Sequence, residues 1–178
     1  GSWVKKEVPK HSYDFPDTPT GVNVAFVNKP GAVQSVISVF YPIYFKPGAE
    51  DNPQVSVMAN IFGGAFSSYL NANLREDKGY TYGINSRFSG NETDGNFYLS
   101  TSVESEVTDS ALTEIIFELD NYVTNGIKSE ELLFTKNSIS NSDALKYETP
   151  RQKANFLSRI QRYNLDKNYT SKQKEILE

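Results

Sequence analysis

Cysteine is absent from this 178-residue chain, and histidine occurs once, as His11. The lack of cysteine excludes a disulfide framework, a thiol nucleophile and a cysteine-ligated zinc site. A catalytic zinc ion usually takes three protein ligands, commonly with two or more histidines among them. His11 lies in a polar segment punctuated by prolines, where we expect a solvated loop residue. The chain alone therefore supplies neither a His-based zinc site nor, we expect, a Ser-His-Asp triad.

Clustered positive charge and long apolar runs are also missing. The chain has 18 Lys and Arg against 22 Asp and Glu, a formal net charge of −4. Nucleic-acid binding depends on attraction to phosphates, which this balance does not provide. No segment approaches the ~18 consecutive apolar residues of a membrane span, and no signal peptide is recognisable. We therefore expect neither a nucleic-acid partner nor a membrane span.

What the chain does contain is globular composition, with 38% hydrophobic and 13% aromatic residues. Its length favours one domain. Gly1 and Ser2 look like an expression remnant. A helical pattern that begins at Ser171 is cut short by the end of the chain. We therefore expect residues 3–178 to be a single domain that is truncated at its C-terminus.

Alternating apolar and polar residues predict strands at 22–27, 34–45, 80–88 and 97–103. The last two segments flank a loop of turn-forming residues at 90–95 and are predicted to form an antiparallel hairpin. In the second segment both faces are apolar, so we expect both to be covered. Pro42 within it indicates a bulge or a position near a sheet edge.

Helix signals follow a different pattern, with caps before apolar residues at helical spacing. Helices are predicted to begin at Pro53 with Asn52 as its N-cap, at Ser67 or Ser68, at Thr108, at Ser129, at Thr149 with Pro150, and at Ser171. Gly63 with Gly64, Gly79 and Gly126 are predicted to end or kink helices. Because strands and helices are segregated rather than alternating, we predict an α+β fold. It is a two-layer sandwich of an antiparallel sheet with helices packed on one face.

Arg75 and Tyr82 are separated by a predicted turn at Gly79. A helix that runs into a strand across such a turn can bring a guanidinium and a phenol to one end of a sheet. Together they offer donors to a peptide carbonyl or a carboxylate. On spacing alone, a surface charge and a core aromatic residue are the favoured interpretation. Gly63 and Gly64 lack the G-K-[ST] ending of a phosphate-binding loop, so a helix stop with close packing is favoured there.

Residues 60–82 resemble the pitrilysin/insulinase-type zinc metallopeptidases, a family that includes the mitochondrial processing peptidases. The likeness is to the second, non-zinc half of the family repeat, with its pattern L-G-G-x-x-S-S-x-L-x-x-x-L-R-E-x-x-G-x-x-Y. The matching residues are Gly63, Gly64, Ser67, Ser68, Leu70, Leu74, Arg75, Glu76, Gly79 and Tyr82. Tyr80 and Thr81 depart from the family, which usually has Leu and Ala there.

The resemblance implies a domain of a protease chamber whose zinc lies elsewhere, on an H-x-x-E-H helix. Zinc is therefore expected in a preceding domain or a partner chain, and no catalytic residue or metal ligand is expected here. Arg75 and Tyr82 match the residues that bind substrate in the family, and Gly63 and Gly64 would shape the chamber wall. The expected partners are a peptide substrate and a homologous zinc-bearing domain.

Two functions stay open at this stage. The first is a substrate-binding, non-catalytic domain of a bacterial zinc endopeptidase, from either the periplasm or the cytoplasm. The second is a non-peptidase subunit of the same family that acts as a scaffold or complements a separate zinc-bearing chain. The presence of Arg75 and Tyr82 favours the first.

Overall fold

A computed structural model describes residues 4, 6–9, 12–14, 17, 20–21, 24–25, 27 and 29–177. The strands are β1 (Gln34–Ile43), β2 (Ile84–Gly90) and β3 (Gly95–Glu104). The helices are α1 (Asn52–Ala59), α2 (Tyr69–Asn71), α3 (Thr108–Asn125), α4 (Ser129–Asp143), α5 (Pro150–Arg162) and α6 (Tyr169–Leu177). Helices α1 and α2 each continue into a π-helical turn, at Asn60–Gly64 and Ala72–Asp77 respectively. No helix in the described part of the chain is long and apolar enough to cross a membrane.

The strands form one three-stranded antiparallel sheet in the order β1-β3-β2. The predicted hairpin is confirmed, since β2 and β3 pair from Ile84 opposite Thr101 to Gly90 opposite Gly95. Pro42 lies opposite Asn96 on an outer strand of the described sheet, in an uninterrupted register. The expectation of an edge position is thus confirmed, and there is no bulge.

The core lies between the sheet and helices on one of its faces, which confirms the predicted α+β two-layer sandwich. Its buried residues are Ile37, Phe62, Leu70, Leu74, Ile84, Leu99, Val103, Ala111 and Ile115. On the opposite face, Val36 and Phe40 are 70% and 62% exposed. The expectation that both faces of β1 are covered is therefore wrong, because no described element packs against this second face.

Two helix boundaries follow the predicted local signals closely. Helix α5 starts at Pro150 with a complete capping box between Thr149 and Gln152. Helix α3 ends at Gly126, whose φ of +68° suits glycine. The N-cap of α1 is Asp51 rather than Asn52, because the Asn52 side chain instead donates to the Lys46 carbonyl at 3.1 Å.

The predicted strand at 80–88 begins later than expected, at Ile84. Residues 80–83 form a connection instead, in which the Tyr80 N–H donates to the Leu74 carbonyl at 2.9 Å. The predicted strand at 22–27 is not found at its described positions, where Val24 and Val27 are exposed and outside any strand. Its other positions, apart from Ala25, lie outside the described residues, as does His11.

Candidate functional site

Gly63 lies where the π-helical end of α1 packs directly on β2. A Cβ atom added at Gly63 would lie 2.4 Å from Ser86 Oγ and 2.7 Å from Leu70 Cδ1. Both neighbours are fully buried, so neither has open space beside it. Gly63 therefore permits a close helix–sheet approach that a larger residue would push apart.

Gly64 has a different environment. It is exposed, and the nearest atom to an added Cβ is the Ala59 carbonyl oxygen at 3.2 Å. It lines a groove of about 1330 Å³ that runs along β2 and is bordered by α1, α5 and α6. Neither Arg75 nor Tyr82 lines this groove. Their association with Gly63 and Gly64 in a chamber stays a prediction.

Asn71 joins the turn that precedes α2 to the first residue of β2. Its side-chain amide donates to the Ala65 carbonyl at 3.1 Å and to the Ile84 carbonyl at 2.9 Å. Its carbonyl oxygen accepts from the Ile84 N–H at 3.1 Å. Ser68 caps the short helix α2 and bonds the same side chain at 3.2 Å. One buried amide therefore fixes the turn at 65–68 and the first residue of β2.

Arg75 lies in the π-helical turn that follows α2, with its guanidinium stacked on an aromatic ring. The guanidinium carbon is 3.8 Å from the centroid of Phe66. Its NH1 nitrogen is 3.3 Å from Glu76 Oε1, yet it is buried and makes no hydrogen bond with the described residues. Glu76 therefore pairs with the guanidinium by charge, while no hydrogen bond with the described residues fixes NH1.

Tyr82 is 99% exposed, while its neighbours in the chain are held firmly. The Gly83 N–H donates to Thr81 Oγ1 at 3.1 Å, and the Thr101 hydroxyl donates to the Gly83 carbonyl at 3.0 Å. The Thr81 hydroxyl can also donate to the Ser102 carbonyl, which lies 2.9 Å from Thr81 Oγ1. The phenol thus projects into solvent from a backbone that is fixed on both sides.

The candidate residues therefore lie on either side of the Gly79 turn, where φ is +66°. Both present hydrogen-bond donors, one cationic and one neutral. Sequence reasoning identified these donors but missed Phe66 and Asn71. The only local signal was the Ser68-x-x-Asn71 spacing, which is typical of a helix cap.

An aromatic and acidic layer lies beneath α2. The Tyr69 hydroxyl donates to the Glu131 carboxylate, and the Tyr122 hydroxyl donates to the Met58 carbonyl at 2.9 Å. Burial, assisted by Glu131, raises the pKa of Tyr69 to about 12. Burial also raises the pKa of Tyr122. Both phenols therefore stay neutral at ordinary pH and act as structural donors.

The π-helical turn Ala72–Asp77 is joined to acidic residues of α3 through Asn73. The Asn73 amide nitrogen donates to Glu114 at 2.9 Å and to Glu118 at 2.7 Å. These bonds tie the turn that carries Arg75 to α3.

The described residues contain no group of three His, Cys, Asp or Glu side chains that could hold a metal ion. The resemblance implies a zinc ion in a preceding domain or a partner chain, and its location there stays a prediction. What the arrangement offers chemically is two hydrogen-bond donors, the Arg75 guanidinium and the Tyr82 hydroxyl.

Comparison with known proteins is consistent with this architecture. The sequence profile of the Peptidase M16 inactive domain matches residues 1–139. The peptidase M16 inactive domain from Pseudomonas fluorescens is similar, with a TM-score of 0.72 and 23% identity over 81% of this chain and 34% of that one. A protease from Helicobacter pylori has a TM-score of 0.74 and 16% identity over 84% of this chain and 36% of that one. No curated protein matches the chain.

A third similar structure has nearly the same extent as this chain. It is the inactive peptidase domain of a candidate zinc protease from Bordetella parapertussis, with a TM-score of 0.67 and 16% identity. The match covers 85% of this chain and 81% of that one, whereas the chain spans about a third of the first two structures. At these identities the structures show the fold, and the profile match shows the family. The chain belongs to the Peptidase M16 inactive-domain family, which makes it a non-catalytic domain of that peptidase family.

Proposed function

We propose that this chain binds peptide substrate and completes the chamber of a zinc metalloendopeptidase, opposite a zinc-bearing domain. The observation that carries the proposal is the pair of donors on either side of Gly79. Arg75 is a partly exposed cation whose NH1 pairs with Glu76 but makes no hydrogen bond with the described residues, and Tyr82 is 99% exposed. The zinc belongs to a preceding domain or a partner chain, which supplies the chemistry of hydrolysis.

The contribution of this chain is to hold and orient the peptide. The Arg75 guanidinium donates to a substrate carbonyl or to a C-terminal carboxylate, and the Tyr82 hydroxyl donates to a second backbone carbonyl. Fixing an extended peptide at points away from the scissile bond lowers the entropy that must be lost on reaching the transition state. Neither residue exchanges a proton with the reacting atoms.

Arg75→Ala in the full-length protein, together with its zinc-bearing domain, tests this proposal. A hydrogen bond to a charged group contributes about 1.5–3 kcal/mol, so kcat/KM for a fluorogenic peptide library should fall about 10- to 150-fold. Tyr82→Phe removes a neutral hydrogen bond and should lower it about 2- to 10-fold.

Arg151→Ala is the matched control, because Arg151 is an exposed arginine in the first turn of α5. Zinc content should be equal in all variants. Unchanged kcat/KM in both Arg75→Ala and Tyr82→Phe would overturn the proposal and favour a scaffold or partner subunit.

A further inference from the structure

We propose that Phe66 is a positioning residue that holds the Arg75 guanidinium in its binding orientation. This inference rests on the proposed function and adds to it a residue at an unspecified position of the pattern that carries the resemblance. Phe66 is 69% exposed, so it contributes little to the core. Its ring nevertheless faces the guanidinium carbon at 3.8 Å from the centroid.

The turn that carries Phe66 is held in place by backbone and side-chain hydrogen bonds. The Ala65 N–H donates to the Asn60 carbonyl at 3.0 Å, and the Ser68 N–H donates to the Ala65 carbonyl at 3.2 Å. The Asn71 amide donates to that same Ala65 carbonyl at 3.1 Å. The ring therefore projects from a fixed backbone, as the Tyr82 phenol does.

Stacking explains how a long, flexible side chain can be kept ready for a ligand. A guanidinium over a ring face is attracted by the ring quadrupole, and its N–H groups then point outward in the plane parallel to the ring. The ring covers one face of the guanidinium and excludes water from it. NH1 is left buried and without a hydrogen bond, since Glu76 lies near it without the geometry for one.

The arrangement favours a planar acceptor that approaches the guanidinium edge. A backbone carbonyl or a carboxylate has this geometry, and both occur in a peptide. Without Phe66, Arg75 would populate several rotamers, and binding would cost the entropy of selecting one of them. Phe66 thus acts through Arg75 and does not need to contact the substrate.

The test is a double-mutant cycle in the full-length protein, with kcat/KM for a fluorogenic peptide library as the readout. Phe66→Leu keeps the apolar volume but removes the ring face, and it should lower kcat/KM about 2- to 30-fold. Phe66→Tyr keeps the ring face and should rescue activity. In an Arg75→Ala background, Phe66→Leu should have no further effect, because the residue through which Phe66 acts is gone.

Phe134→Leu is the matched control, since Phe134 is 68% exposed on α4. It should leave both kcat/KM and Tm unchanged. A direct measurement of the stacking comes from NMR of the chain. The Arg75 side-chain δ protons should show an upfield ring-current shift that Phe66→Leu abolishes and Phe134→Leu preserves.

The outcomes separate the inference from the proposed function. If Arg75→Ala leaves kcat/KM unchanged, Arg75 does not bind substrate and the role of Phe66 falls with it. The proposed function itself fails only if Tyr82→Phe also leaves kcat/KM unchanged. If Arg75→Ala lowers kcat/KM while Phe66→Leu does not, the function stands and this inference is overturned. Equal losses from Phe66→Leu in the wild-type and Arg75→Ala backgrounds would also overturn it, because Phe66 would then act independently of Arg75.

Discussion

Two regions of the molecule are held in place in different ways. One is the segment that carries Arg75 and Tyr82, and the other consists of helices α5 and α6. In the segment around Arg75 and Tyr82, Leu70 and Leu74 are completely buried, and Asn71 bonds backbone groups of Ala65, in a turn, and of Ile84, the first residue of β2. In α5 and α6, no described residue is buried, and α5 is defined by its own capping box. Tertiary contacts therefore fix the first region, whereas local signals fix the second.

The difference explains how an exposed site can still be rigid. Tyr82 projects fully into solvent and the Arg75 side chain is partly exposed, but each projects from backbone that is tied to the core. The comparison predicts that substitutions in this segment lower the free energy of unfolding much more than matched substitutions in α5. Chemical denaturation of the chain measures each difference.

Leu74→Ala should have the largest effect. Leu74 is 0% exposed, and truncating a buried leucine lowers the free energy of unfolding by about 2–5 kcal/mol. Leu157→Ala in α5 removes the same atoms at a site that is 64% exposed, and we expect a change of about 0.5 kcal/mol or less. Equal losses in the two variants would contradict the contrast between the regions.

Asn71→Ala should follow, with a loss of about 2–3 kcal/mol. The substitution leaves the N–H and carbonyl of Ile84 without their buried partners, and this desolvation penalty is larger than the net value of the bonds. Asn155→Ala, at an exposed position in α5, is the control and should be near neutral. A small effect at Asn71 would mean that another group can bond Ile84.

Gly63→Ala should lower the free energy of unfolding by about 1–3 kcal/mol through overpacking against Ser86 and Leu70. Gly64→Ala should lower the free energy of unfolding less, because the closest contact of its added Cβ is longer, 3.2 Å to the Ala59 carbonyl oxygen against 2.4 Å at Gly63. Adding Ser86→Gly to Gly63→Ala removes the closest contact and should restore part of the loss. Failure of that rescue would show that the clash with Leu70 is decisive.

Thr149→Ala should have the smallest effect on the free energy of unfolding. It tests the second half of the comparison, that local signals hold α5. It removes both the acceptor for the Gln152 N–H and the capping box, which costs about 1 kcal/mol. Because α5 depends on this cap, amide hydrogen exchange should accelerate in its first turn and stay unchanged in α2. Faster exchange throughout the chain would indicate that α5 is coupled to the core.

The same contrast explains what the sequence could predict. The start of α5 is defined by the local chemistry of Thr149, Pro150 and Gln152. The structure has this helix beginning at Pro150, as predicted. The hairpin was equally predictable, since its turn and its alternation are local. The α+β class followed from the order of these elements.

The site geometry depended on contacts that no local pattern reveals. The alternation at 80–88 predicted a strand through Tyr82, but Thr81 and Gly83 bond one another and residues of β3 in place of strand pairing. The Phe66–Arg75 stack requires the turn at 65–68, which Asn71 imposes from the following helix. Arg75 and Tyr82 were identifiable only through the resemblance, because their spacing alone favoured a surface charge and a core aromatic residue.

The central claim is that substrate peptide lies against this domain, and photo-crosslinking tests it most directly. Tyr82 would be replaced by p-benzoylphenylalanine in the full-length protein, with Val123, which is 82% exposed on α3, as the control position. We expect position 82 to become covalently labelled by a biotinylated peptide library, position 123 to stay unlabelled, and Arg75→Ala to weaken the labelling. Equal labelling at the two positions, or none at position 82, would contradict the account.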